Sequence, residues 1–380
     1  MTMQQEASKN PPLRILQMGS TAYRGGVTTA ITTICSTLHQ EGHEVMLICD
    51  GGNLDVLLSQ GIQCVVTDFF PKIFSVLRGT IAVNKAIRQF RPDVIHVHGR
   101  APSLLCYLSG HFPDWFTLHN THFTGQVGAM DIGPLRRMLS PTARRFFVLD
   151  EKAKTYLCQS MGINPSKIEV INNGVDCNHY REPTLEERQK ARAQFKISDN
   201  QTFVLFIGRL HPSKQPTALI AAAKSARAFG LNDIRFAIVG DGELEKQVRR
   251  EIEVAGVQDI CKLYEWMDPL EAYFAADLLV MPSLYEGFGL VALEALATGL
   301  PVIRSRTGGA EKMIVEGKNG FCCGTDITDF VDILMPILKN PDQLLPMRAY
   351  AREFVVTHLS SKAQAKMLLQ HYRAHINDKK

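Results

Sequence analysis

Residues 286–294 read Glu286-Gly287-Phe288-Gly289-Leu290-Val291-Ala292-Leu293-Glu294. Two carboxylates bracket seven small or apolar residues. An apolar strand, Leu278-Leu279-Val280-Met281, leads in through Pro282-Ser283. A helical pattern runs out through Ala295-Leu296-Ala297-Thr298 and stops at Gly299, with Pro301 just beyond. The unit is therefore strand, glycine-bearing loop, helix. Open α/β sheets place ligands at that end of a strand. Glycine lets backbone approach a ligand, and a helix start offers free N–H groups. Two acids at such a place suit hydroxyl groups rather than phosphate itself.

The surrounding half of the chain repeats the pattern. Strands at 202–208, 235–240 and 278–281 each run into a loop and then a helix, and strand 301–303 runs into a glycine-bearing loop. Glycines 240, 242, 287, 289, 308 and 309 all fall in these loops. Arg209 and Lys214 share the first loop, across Pro212. An arginine fork and a mobile lysine charge both suit a diphosphate. Cations in one loop and acids in another match a sugar nucleotide: charge for the phosphates, carboxylates for sugar and ribose hydroxyls. No Asp-x-Asp pair stands where a divalent ion is expected, so no metal is assigned.

The first half opens the same way. Strand 13–18 meets Gly25-Gly26-Val27 and a helix to about Gln40, without the dinucleotide fingerprint G-x-G-x-x-G. Gly25-Gly26 reads either as a tight turn or as a loop whose amides meet a phosphate or sugar. Two later strands end in His98 and His119. Residues 134–145 carry Arg136, Arg137, Arg144 and Arg145 among apolar residues, with Ser140-Pro141 able to start a short helix. That segment is either a solvated basic face or a surface for anionic headgroups. Asn172-Asn173-Gly174-Val175-Asp176 closes the half in a turn, and a polar stretch to 200 marks the boundary.

Bulk properties bound the class. The chain has 380 residues, 45% of them hydrophobic, and a formal net charge of +4. That length serves two domains with their own cores, and the charge excess is too small to imply nucleic acid. Nine cysteines lie scattered without a C-x-x-C pair, so they read as free core thiols rather than zinc ligands or a disulfide framework. The polar lead MTMQQEASKNPP reads as disordered and unlike a signal peptide, and no segment is long and apolar enough to span a bilayer. A cytoplasmic protein is expected, with membrane association on the cytoplasmic face if the basic segment meets lipid.

These residues resemble a known family. The chain is similar to retaining glycosyltransferases of the GT-B fold, in the large group called family 4, over roughly residues 13–375. The likeness is most specific at Glu286 to Glu294, the E-x7-E element. Gly25-Gly26, Arg209 with Lys214, Gly240-Asp241-Gly242 and Asn173-Gly174-Val175-Asp176 support it. The resemblance implies an α/β protein of two Rossmann-like parallel-sheet domains facing across a cleft, with the last helix crossing back. The expected divisions are 1–180 for the acceptor side, 181–357 for the donor side and 358–380 for the returning helix. It also implies roles. Glu286 lies by the donor sugar and Glu294 binds the ribose hydroxyls. Arg209 and Lys214 hold the diphosphate. Phe288, Gly289 and Leu290 pass backbone near the phosphates and sugar, beside Gly240. His119 faces the donor sugar from the first domain, and Gly25-Gly26 forms a flexible loop by the diphosphate. Two departures stand out. Gln215-Pro216 replaces the glycine after the loop lysine, and Asn172 replaces the proline before Asn-Gly-Val-Asp.

The expected activity is transfer of a sugar from a UDP- or GDP-sugar to a hydroxyl with retained configuration, catalysed by Glu286, His119, Arg209 and Lys214 without cofactor. A glycan or lipid-linked acceptor in cell-surface polysaccharide or lipopolysaccharide synthesis is the first expectation, with peripheral contact to an anionic membrane. A small soluble acceptor is the alternative. A sugar-nucleotide epimerase is disfavoured by the E-x7-E element, and a non-catalytic glycan-binding module completes the set. Nucleic acid is not expected as a partner.

Overall fold

The computed structural model describes residues 11–22, 25–69, 73–119 and 143–378. The chain divides into two units, residues 1–174 with 361–380, and residues 175–360. The divisions fall at Gly174/Val175 and Ser360/Ser361, against the expected 180/181 and 357/358. Most of the polar lead and residues 120–142, which include Arg136 and Arg137, lie outside the described residues.

The first unit holds a seven-stranded parallel sheet. Its strands are β1 (Arg14–Gly19), β2 (Glu44–Cys49), β3 (Gln63–Val66), β4 (Val94–His98), β5 (Trp115–Leu118), β6 (Arg145–Val148) and β7 (Ile168–Val170). Their order is β3-β2-β1-β4-β5-β6-β7. Chain order reverses between β1 and β4, which pair in parallel from Ile15↔Val94 to Gly19↔His98. β4 is buried along its whole length, as the run Val94-Ile95-His96-Val97-His98 requires of a strand covered on both faces. Helix Gly26–Gln40 buries Ala30, Ile31, Ile34, Cys35 and Leu38 at helical spacing. The chain's last helix, Ser361–Asp378, joins this unit and places Ala365, Leu368 and Tyr372 in the same core cluster as Ile31 and Trp115.

The second unit holds a six-stranded parallel sheet. Its strands are β8 (Thr202–Ile207), β9 (Ile234–Val239), β10 (Cys261–Tyr264), β11 (Leu278–Met281), β12 (Val302–Ser305) and β13 (Gly320–Cys323). The order β10-β9-β8-β11-β12-β13 reverses between β8 and β11. Helix Leu185–Phe195 opens the unit with a capping box between Thr184 and Glu187. Helix Leu290–Ala297 is buried nearly all round, so its Leu and Ala content is a packing requirement rather than an amphipathic stripe. All nine cysteines are free, and six are buried.

One expectation needs correction. Arg145 does not end a short basic helix; it opens β6. Its guanidinium pairs with Asp378 at 2.8 Å and lies 5.8 Å from the Trp115 ring centroid. Its backbone lies in a strand paired on both sides, while its guanidinium stays partly exposed. Arg144 is exposed.

Candidate active site

In each unit the predicted residues collect at the carboxyl ends of strands beside the reversal of chain order, where a crevice opens because neighbouring loops turn opposite ways. In the second unit that point lies between β8 and β11. Arg209 and Lys214 follow β8, and Glu286 follows β11. Lys214 Nζ donates to Glu286 Oε1 at 2.5 Å, and Ser283 Oγ donates to the same oxygen at 2.8 Å. The Leu284 N–H donates to the Ser213 carbonyl at 2.8 Å and ties the two loops by backbone. The Glu286 side chain is one-tenth exposed and that of Lys214 about 29%, so this pair is partly shielded from water. Arg209 is exposed and in no ion pair among the described residues.

Glycines set the spacing of these loops. A Cβ on Gly240 would strike the Gly208 carbonyl, and one on Gly242 would lie 2.5 Å from the Leu210 carbonyl. A Cβ on Gly308 would strike the Glu286 carbonyl, and one on Gly309 the Phe288 carbonyl. The loops after β9 and β12 thus press backbone to backbone on those after β8 and β11. Gly289, at φ 88°, caps helix Leu290–Ala297; its carbonyl accepts from the Ala292 and Leu293 N–H groups, and those of Leu290 and Val291 have no intrahelical partner. Gln215, which stands in place of a glycine, adopts φ 49°. Its side-chain amide donates to the Thr325 carbonyl at 2.9 Å, so the left-handed turn is kept without glycine. Pro216 precedes Thr217, the cap of helix Ala218–Ala228.

Glu294 is buried and accepts a hydrogen bond from Tyr273 Oη at 2.9 Å. Burial raises its carboxyl to about 7, against the lowering effect of hydrogen bonds from Tyr273 and Tyr180.

In the first unit the loop after β1 reaches Gly25, which caps helix Gly26–Gln40; no acidic residue lies in that helix's first turn. A Cβ on Gly25 would meet nothing within 4 Å. Asp50 anchors the start of this loop, accepting from Ser20 Oγ at 2.6 Å and from the N–H groups of Thr21 and Ala22 at 2.8 and 3.0 Å. His98 Nδ1 lies 2.8 Å from His119 Nε2, and His98 Nε2 lies 2.7 Å from Gln17 Oε1. An amide oxygen only accepts, so His98 carries its proton on Nε2. His98 Nδ1 then accepts from His119 Nε2–H, and His119 is left with Nδ1 as an acceptor. Burial lowers His119 to about 4 and His98 well below its ordinary value. Both rings are neutral near pH 7, so His119 offers a lone pair to a hydroxyl rather than a positive charge. A buried chain continues from Gln17 Nε2 to Tyr372 Oη at 3.4 Å and from there to His96 Nδ1 at 2.6 Å.

Among the described residues no group of three or more His, Cys, Asp or Glu side chains is arranged to hold a metal ion. Among them, too, no helix is long and apolar enough to cross a membrane. Sequence reading missed Arg304, Ser283, Tyr273, Asp50 and Gln17. Arg304 left the clearest signal: an arginine directly after Val302-Ile303 in a parallel strand flanked by two others.

Comparison with known proteins follows the same division. The family described as "Glycosyltransferase Family 4" matches residues 24–179, and "Glycosyl transferases group 1" matches residues 187–354. The chain belongs to the family 4, group 1 glycosyltransferases. A D-inositol 3-phosphate glycosyltransferase of Corynebacterium urealyticum is 33% identical over 219 residues, 55% of this chain and 51% of that protein. The chain thus spans about half the length of such curated relatives. An Escherichia coli UDP-Gal:alpha-D-GlcNAc-diphosphoundecaprenol alpha-1,3-galactosyltransferase is 25% identical over 80% of this chain and 82% of its own length. Among solved structures, Anabaena HepE in complex with UDP and glucose has a TM-score of 0.80 at 18% identity, covering 95% of this chain and all of that one. The last likeness shows the fold, which is GT-B.

Proposed function

We propose that this protein transfers a sugar from a nucleoside-diphosphate sugar to a hydroxyl of a small soluble acceptor, with retention at the anomeric carbon. The carrying observation is the Lys214–Glu286 pair at the point where chain order reverses in the second sheet. Lys214 and Arg209 face the leaving diphosphate and stabilise the charge that develops as the anomeric bond breaks. Glu286, held by Lys214 and Ser283, orients sugar hydroxyls. No carboxylate is assigned as a nucleophile, and the departing phosphate oxygen takes the acceptor proton on the same face. Glu294 receives the ribose hydroxyls, and donor binding displaces its tyrosine contacts in part. In the first unit, neutral His119 is a hydrogen-bond acceptor for a substrate hydroxyl, and the amides at Gly25-Gly26 suit an anionic group.

The names of the D-inositol 3-phosphate glycosyltransferases support the small, polar acceptor. The first expectation of a lipid-linked acceptor has less support and becomes the second reading. It rests on the broad coverage of the galactosyltransferase that acts on a diphosphoundecaprenol-linked sugar. Peripheral contact with anionic lipid goes with that second reading.

The test is a mass-spectrometric screen of UDP-, GDP- and ADP-sugars. Each is offered with inositol phosphates and, separately, with a polyprenyl-diphosphate-linked hexosamine. A glycosylated inositol phosphate with retained anomeric configuration by NMR is expected, and Glu286→Ala abolishes it. Transfer only to the lipid-linked sugar favours the second reading. Donor binding without transfer to either acceptor would make the protein a binder.

A further inference from the structure

Arg304, in the last half of β12, is completely buried. Its Nη1 donates to the Phe288 carbonyl at 2.9 Å and lies 3.3 Å from Met313 Sδ. Its Nη2 donates to the Gly308 carbonyl at 2.7 Å and to Thr307 Oγ1 at 3.3 Å. Nε has no partner among the described residues. Among them, too, no carboxylate lies within ion-pairing distance of this guanidinium; Glu286, occupied by Lys214, acts on it only through space. Burial pushes Arg304 down to about 10, which leaves it a cation at neutral pH.

Two consequences follow from that geometry. In a trans peptide the carbonyl and the following N–H point in opposite directions. Arg304 draws the Phe288 and Gly308 carbonyls towards the core, so the N–H groups of Gly289 and Gly309 turn away from it. Gly289 and Gly309 also lie against what Arg304 holds. A Cβ on Gly289 would come within 2.8 Å of Nη1, and one on Gly309 would strike the Phe288 carbonyl. The second consequence is electrostatic. A buried cation without a counter-ion is costly, and an anion placed over the loops it supports lowers that cost.

We propose that Arg304 is a positioning residue for a nucleoside diphosphate: it aims the amides of Gly289 and Gly309 at the phosphates and sets a positive charge beneath them. This inference rests on the donor-site reading of residues 286–294. Arg304 acts through the two loops and from behind them, whereas Arg209 and Lys214 meet the ligand from the β8 side.

The full-length protein and its Arg304→Met and Arg304→Lys variants are titrated calorimetrically with UDP and uridine, and with GDP and guanosine. Methionine fills much of the volume without a charge, and such replacements are commonly tolerated in a core. Arg304→Met is expected to weaken the diphosphate about tenfold or more while nucleoside affinity stays within about twofold. Arg304→Lys keeps the charge and loses the fork, so it falls between, and it carries the test if the methionine variant does not fold. An unchanged ratio of diphosphate to nucleoside affinity overturns the proposal. Hydrogen exchange on the ligand-free protein supplies an independent arm. Arg304→Met should speed exchange in peptides covering 286–291 and 307–311 and leave β8 and β9 unchanged; unaltered exchange there overturns the positioning role. Should the wild type bind no nucleoside diphosphate, the donor-site reading and the ligand half of this inference fail together, while faster exchange would still establish the loop support.

Discussion

The two sheets end in different chemistry. At the carboxyl end of the first, Asp50 holds a loop, but the buried groups are neutral: His98, His119 and Gln17 satisfy one another in a directed chain. At that end of the second, they are charged: Lys214, Glu286 and Arg304 sit among glycines pressed onto neighbouring carbonyls. The first unit spends its polar residues on fixing one ring nitrogen as an acceptor. The second spends them on loops that only glycine can occupy, so that backbone N–H groups and charges share a small space. A neutral acceptor suits hydroxyls, and a charged, amide-rich loop cluster suits phosphates. One duplicated architecture thus carries two kinds of polar chemistry.

The contrast breaks most sharply at the ion pair. Lys214→Ala and Glu286→Ala should each lower kcat/KM about a hundredfold or more, read as release of nucleoside diphosphate in a transfer assay. Glu286→Ala with near-normal turnover would remove the second unit's loop cluster from the chemistry.

Glycine substitutions sharpen it next. Gly309→Ala places a methyl against the Phe288 carbonyl at φ 78° and should cost about 2–4 kcal/mol of stability, with loss of diphosphate binding. Gly25→Ala meets no clash, but φ 159° and ψ 172° lie in a region essentially restricted to glycine, so it should cost about 1–2 kcal/mol, less than Gly309→Ala, while still lowering donor kcat/KM. Equal thermal shifts for the two would erase the distinction between a jammed loop and an open one.

The third test uses pH, to which the two units respond in opposite senses. His96 and His119 are lowered to about 3 and about 4 by burial. Their contribution to stability is complete above the ordinary 6.5 and is lost as pH falls towards those values, by at most about 1.4 kcal/mol per pH unit for each. Glu294 is raised to about 7, so its contribution is complete below the ordinary 4.5 and is lost as pH rises through about 7. The sequence has two tryptophans, buried Trp115 in the first unit and half-exposed Trp266 in the second. In a Trp266→Phe variant, Trp115 fluorescence reports the first unit alone, and its urea midpoint should drop between pH 7 and pH 5. Glu294→Gln should melt above wild type at pH 8.5, by on the order of 2 kcal/mol, and lose that advantage by pH 5. A pH-independent gap would mean that Glu294 is not a titrating buried acid.

Gln215→Gly should change stability least. Glycine relieves about 1 kcal/mol of left-handed strain but deletes the hydrogen bond to Thr325, of similar size. A melting temperature within about 2 °C of wild type is expected.

What could be read in advance depended on range along the chain. Strand, loop and helix around 286–294 were legible because strand burial, glycine turns and helix caps act over a few residues. Lys214 and Glu286 were each legible as ligand-facing, but their direct pairing was not, since 72 positions separate them. Arg304 was passed over because a charge after Val302-Ile303 looks like the end of a strand. Its acceptors lie on two loops, and only one of these is its neighbour in sequence. Arg145 was misread for the converse reason: its partner Asp378 lies at the other end of the chain.

By itself, the sequence determined two parallel α/β sheets, the loops that carry glycine and charge, and the residue types available at each strand end. Those follow from periodicity and backbone stereochemistry, which are local. Tertiary structure alone decided which of those groups meet: Lys214 with Glu286, His98 with His119 and Gln17, Arg304 with the carbonyls beneath 286–294. Those choices belong to strand order and register. Hydrogen bonding and ion pairing fade within a few ångströms, so no pattern along one segment specifies its partner on another.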